Sequence, residues 1–171
     1  MKGRLIANLA GFQLGWLACV LGGSLIGLVT VAILLALHLR FMAYPGEWRW
    51  LAGFALLGLG VDGGLALAGG FQFPDDAWRL GPLPVWLWLL WPLFASTLHH
   101  GLAWLWPHPR LAMLGGALSA PMSYFGGARL AEVDLAPWLL PAEALVWLLL
   151  CLGVSRQLGQ PRPPSPARPR G

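Results

Sequence analysis

Apolar positions along the chain fall in long blocks separated by short polar breaks, without the strict alternation of a half-buried strand. A helix needs about 20 apolar residues to cross roughly 30 Å of hydrocarbon. The first block, Leu5 to Met42, is too long for one crossing, and Gly22-Gly23-Ser24 divides it at 5–22 and 24–41. A third span covers 50–70 and is followed by the polar, Pro-containing loop Phe71 to Asp76. A fourth runs from Leu83 to Trp106, where Pro107-His108-Pro109 stops it; a fifth covers 111–128 and a sixth 137–154. The pattern predicts an all-α fold, a polytopic transmembrane bundle of six helices forming one domain over residues 1–156. Residues 157–171 hold five Pro and three Arg and no apolar run. Such a segment buries too little to order itself, and a disordered Pro/Arg-rich cytoplasmic tail is expected.

Composition sharpens this picture. Of 171 residues, 57 % are hydrophobic and 11 % charged, against about 25 % charged in a soluble domain. Too few charged side chains remain for a polar shell, which excludes a soluble enzyme, a disordered chain and a nucleic-acid binder. The basic balance, net +4, follows instead from the bias of cytoplasmic loops toward Lys and Arg. With the N-terminus inside, nine of the 11 Lys and Arg fall on inner segments and only Arg79 and Arg129 on outer loops. Asp75, Asp76, Glu132 and Asp134 lie outside and Glu47 inside. Both termini are therefore expected in the cytoplasm. Met1-Lys2-Gly3-Arg4 before an apolar run resembles a signal peptide, but the run resumes directly after Ser24, so a retained first span is expected. Cys19 and Cys151 both sit in apolar runs and suggest no disulfide framework. There is no CxxC, no HExxH and no Cys/His pair at zinc spacing, so neither a metal nor a cofactor is expected. Haem is disfavoured because His38 and His108 sit at span ends, away from His99 and His100.

Two of the acids, Asp62 and Glu143, fall inside apolar spans. A mid-span carboxyl costs roughly 2.5–3.5 kcal/mol on insertion scales, so it should face the bundle interior and find a partner. At 1.5 Å per residue, Asp62, Ser123 and Tyr124 lie ~18–21 Å from the inner surface, with Glu143 at a similar level. A second layer nearer the cytoplasm holds Gln13 at ~12 Å and His99 at ~10 Å, with Ser96, Thr97 and His100 close by. The adjacent histidines point about 100° apart, so only one can face a given cavity. Gln13, Asp62, Ser96, Thr97, His99, His100, Ser123, Tyr124 and Glu143 are the candidate lining of a polar intramembrane cavity; the alternative is that they only bond helices together. Small residues repeat at Gly11-xxx-Gly15, at Gly60-xxx-Gly64, and at Gly115, Ser119, Ser123 and Gly127. These stripes suggest close helix packing within the monomer, with a homodimer face as the alternative. Trp48, Trp50, Trp78, Trp86, Trp104, Trp106 and Trp138 lie near span ends and read as interface anchors, whereas Trp88 and Trp91 lie deeper.

Several segments occur in an order that resembles a known group. They are Phe12-Gln13-Leu14-Gly15-Trp16 with Cys19-Val20, the membrane Asp62, the Trp-rich stretch from Pro84 to His99, and Gly116 through Pro121-Met122-Ser123-Tyr124 to Arg129-Leu130. The chain resembles, over residues 5–155, an uncharacterised family of small bacterial multi-pass inner-membrane proteins, a domain of unknown function. Members resemble genomic companions of cyclopropane-fatty-acid-synthase-like methyltransferases. The resemblance implies an inner-membrane accessory component of membrane lipid or fatty-acid modification, with membrane lipids and a membrane-associated lipid-modifying enzyme as partners. A small proton-coupled transporter or permease titrating Asp62, and an intramembrane lipid-modifying enzyme using His99 or His100 as base, are the competing expectations. No acyl-transfer triad, phosphate loop or metal motif fixes a reaction.

Overall fold

In the computed structural model, residues 2–74 and 77–159 are described. Among these residues, five helical elements form where the hydropathy pattern predicts six spans: α1 (Lys2–Phe41), α2 (Trp48–Leu67), α3 (Val85–Ala95), α4 (Pro109–Leu130) and α5 (Leu139–Leu158). The first two predicted spans are one element broken at Gly23, whose φ of 67° and ψ of −162° are not helical. That backbone region is open essentially to glycine alone. The break turns the chain back on itself: the Arg4 guanidinium donates to the Phe41 carbonyl at 2.7 Å, and Leu34 covers Gly11 and Gly15. α1 is thus a hairpin of two helical arms, 2–22 and 24–41, joined without a loop.

The predicted fourth span departs further. The α-helix ends at Ala95, and residues 96–107 form successive turns, although Leu98, Leu102, Trp104, Leu105 and Trp106 keep the sequence apolar. The Ser96 and Thr97 hydroxyls bond the carbonyls three residues back, Leu93 and Phe94, and so compete with the helical ladder. Asn8 clamps the turns to α1: its amide donates to the Ser96 carbonyl and its carbonyl accepts from the Gly101 N–H, each at 3.0 Å. The Trp106 indole donates to the Leu98 carbonyl across the segment.

Among the described residues, three elements are long and apolar enough to cross a membrane: 3–41, α2 and α5. The fold is mostly helical, and the chain reads as a membrane protein. Four two-residue strands, which an all-α prediction lacks, close one end. β1 (Phe71–Gln72) pairs antiparallel with β4 (Asp134–Leu135), and β2 (Arg79–Leu80) with β3 (Leu83–Pro84). That end also carries the Gly23 turn, tied to the strand region by the Ser24 hydroxyl, which donates to the Trp78 carbonyl. The opposite end gathers the start of α1, the 42–47 loop, the 96–107 turns and the end of α5.

α3 packs on α1 and α2, and α4 packs along α5, but α1 and α4 barely touch. The molecule is therefore two helical groups joined along a seam. The expected tail lies almost wholly outside the described residues, which end at Gly159; residue 157 still belongs to α5.

Candidate functional site

Two constellations stand out, one inside the seam and one at the end opposite the strands.

The seam holds a cavity of 560 Å³ between the first arm of α1, α3, α4 and the 96–107 turns. Drug-sized ligand sites span about 300–1,000 Å³ and are lined mainly by apolar groups with a few polar ones. This one fits that description. Phe12, Trp16 and Val20 of α1 face Leu90, Trp91 and Phe94 of α3, with Trp147 behind and Phe71, Phe73 and Val133 at the strand end. Gly115, Ser119, Ser123 and Gly127 line it from α4. The small-residue stripe predicted to pack helix on helix thus faces the cavity. The face beside it seals α4 to α5, where a side chain on Gly116 would meet the Cys151 sulfur and the Trp147 carbonyl. Small residues on the open face leave the volume unfilled.

Polar groups sit at two levels. Gln13, Ser119 and Ser123 are exposed at the outer rim, where a shallower pocket with Phe12, Trp16 and Met122 continues the cavity outward. Asp62 of α2 lies fully buried behind the wall. The Tyr124 hydroxyl donates to both its carboxylate oxygens, at 2.8 and 2.9 Å, and the Trp91 indole donates to Oδ2 at 2.8 Å. Tyr124 and Trp91 line the cavity, so Asp62 acts on it only through them. The approach is tight: Gly58 on α2 leaves room for the Trp91 ring, which a Cβ there would overlap. Glu143 of α5 is fully buried, an electrostatic neighbour of Asp62 and Tyr124, with the Trp147 indole beside it; among the described residues neither its carboxylate oxygens nor the Trp147 Nε1 makes a well-formed hydrogen bond.

The nine residues singled out from the sequence therefore separate. Tyr124 and Asp62 bond directly, with Glu143 close by. Gln13, Thr97, Ser123 and Tyr124 line the cavity, Thr97 with its hydroxyl spent on the Phe94 carbonyl. Ser96 is spent on the backbone. His99 and His100 turn away toward the 42–50 region, His99 against the rings of Tyr44 and Trp50. The lining is mainly apolar.

His100 joins the second constellation. Its Nε2 lies 3.1 and 3.2 Å from the two carboxylate oxygens of Glu47, and the His38 Nε2 lies 2.8 Å from Oε1 of the same group. The two imidazoles meet edge to face with centroids 4.9 Å apart, and Tyr44 stacks on His100 at an interplanar angle of 4°. Local chemistry builds this cluster. The Tyr44 N–H donates to Glu47 Oε2 at 2.9 Å across the Pro45-Gly46 turn, while Glu47 begins α2, where the helix dipole favours an anion. Burial alone would raise the Glu47 carboxyl; the bonds from His38, from the Tyr44 N–H and from His100 outweigh it and hold the group down at about 2. Glu47 is thus an anion at neutral pH. The sequence places His38 at a span end and Glu47 on an inner segment, with nothing to pair them. Their only signal was proximity along the chain, and His100 arrives from an element over 50 residues away.

A family of proteins of unknown function (DUF2878) matches residues 5–152, most of the chain, and the protein belongs to that family. No curated protein and no solved structure matches it.

Proposed function

We propose that this member of the family is a lipid-handling protein of the bacterial inner membrane that takes an acyl chain into the seam between α1 and α4, as an accessory component of lipid or fatty-acid modification. The observation that carries the reading is the 560 Å³ apolar cavity, with its polar groups at the outer rim and its small-residue wall on α4. An amphiphile matches that distribution: a chain against Phe12, Trp16, Leu90 and Phe94, and a polar group near Gln13, Ser119 and Ser123. Two further polar groups of the wall are already engaged, since Tyr124 and Trp91 donate to Asp62. Among the described residues, no arrangement in the cavity pairs an unengaged nucleophile with a base, which makes holding a lipid a better fit than transforming one. A membrane-associated modifying enzyme would then act on the presented lipid.

The test is lipid retention. The full chain is purified in a mild detergent, and bound lipid is counted by native mass spectrometry and by extraction. A Gly115→Leu/Ser119→Leu variant fills the wall while keeping the α5-facing side intact, because a Cβ added at Gly115 would meet nothing within 4 Å. The wild type should carry about one acyl lipid per chain and the filled variant several-fold less. Equal retention by both would overturn the reading.

A further inference from the structure

We propose that His38, Glu47 and His100 form a binding site for one divalent first-row transition cation of the zinc class. The site is separate from the seam cavity and does not depend on the lipid-handling reading.

Geometry carries the argument. Three ligand-type atoms from three different elements, the last turn of α1, the start of α2 and the turns after α3, lie within 4.8 Å of one another. All three side chains are nearly removed from solvent, at 5 % exposure for His38, 1 % for Glu47 and 10 % for His100. Both imidazoles present the same nitrogen, Nε2, to one carboxylate. Tetrahedral ligands at about 2.1 Å from a metal stand about 3.4 Å apart. The two imidazole–carboxylate separations, 2.8 and 3.1–3.2 Å, therefore need to open by a few tenths of an ångström, and the two Nε2 atoms, within 4.8 Å of each other, to close by no more than about 1.4 Å, to admit an ion.

The donor set selects the ion. Two imidazole nitrogens and one carboxylate suit zinc and its neighbours, whereas calcium and magnesium seek oxygen cages. One anionic and two neutral ligands leave a net positive centre with an open fourth position, the pattern in which a bound water or anion completes the sphere. The site also lies outside the apolar middle of the helices, beside the 42–47 loop. No short sequence motif marks it, because its ligands are spread over 63 residues of chain.

The test uses the full chain in detergent, stripped with a chelator and titrated with zinc against a chromophoric competitor. The wild type should take up one zinc per chain. Glu47→Gln and His100→Gln should each weaken uptake at least about tenfold, since even outer-shell partners of metal ligands are worth 10–100-fold. His108→Ala, which alters an exposed histidine outside the cluster, should leave uptake unchanged. Elution volume and helical circular dichroism show that each variant is folded; should Glu47→Gln fail to fold, His100→Gln alone decides. Three results would overturn the proposal: no zinc uptake by the folded wild type, uptake unaffected by the ligand substitutions, or displacement of the bound zinc by a modest excess of calcium or magnesium.

Discussion

Asp62 accepts from two donors where no solvent reaches, the Tyr124 hydroxyl shared between its oxygens and the Trp91 indole, and these come from two other helices. One residue therefore couples α2 to both α3 and α4, across the seam. Interhelical hydrogen bonds in membrane proteins average about 0.6 kcal/mol in double-mutant cycles, with a maximum near 1.7. The Asp62–Tyr124 pair should fall in the upper part of that range, because loss of either partner leaves a buried polar group unpaired. A cycle of Asp62→Asn, Tyr124→Phe and the double variant, followed by unfolding in a mixed-micelle titration, should give a coupling of about 1–1.7 kcal/mol. A coupling near zero would mean that the two groups are held independently. The depth argument from sequence brought these two residues to one level correctly, since rise per residue is nearly constant in any helix. It could not reveal that the hydroxyl and the carboxyl would be spent on each other, because helix order around a bundle is not encoded in spacing along one chain.

At the scale of the element, the break in α1 rests on one backbone conformation. Gly23 has open space around it, so sterics with neighbours do not forbid a side chain; its dihedral angles do. Gly23→Ala should cost about 1–3 kcal/mol. Gly60→Ala, at a position with equally open space but ordinary helical geometry, should be neutral or gain up to about 1 kcal/mol from reduced chain entropy. Paired thermal-unfolding curves check both, and equal losses at the two sites would show that the hinge tolerates a Cβ. This element was legible from sequence because a glycine pair interrupts a long apolar run. The end of α3 was not. Leu98, Leu102, Trp104, Leu105 and Trp106 let the stretch read on from the span before it, and hydropathy reports what surrounds a segment, not whether its backbone is helical. Here the hydroxyls of Ser96 and Thr97 and the clamp from Asn8 redirect the chain. The same limit hid the His38–Glu47–His100 cluster: a convergent set from three elements has no period to detect, and His100 meets Glu47 only because the turns replace a continued helix.

For the whole molecule, the arrangement of elements gives the charge pattern a spatial meaning. Arg4, Arg40, Arg49, Arg110 and Arg156 gather at the end that holds the 42–47 loop and the 96–107 turns, while Arg79 and Arg129 lie at the strand end. A charge bias of this kind orients a membrane protein with its basic end in the cytoplasm. The same bias leads us to expect the proposed metal site on the cytoplasmic side and the small paired strands at the outer end of the seam. Cysteine labelling tests this directly, because native Cys19 and Cys151 are buried and should stay silent. Single cysteines at exposed positions Pro45 and His108 should resist an impermeant maleimide added to intact spheroplasts and react once the membrane is opened. A cysteine replacing Trp78, 54 % exposed at the opposite end, should react before opening. The reverse pattern would put the metal ligands on the outer face, where the ions available to them and the leaflet feeding the seam would both be different.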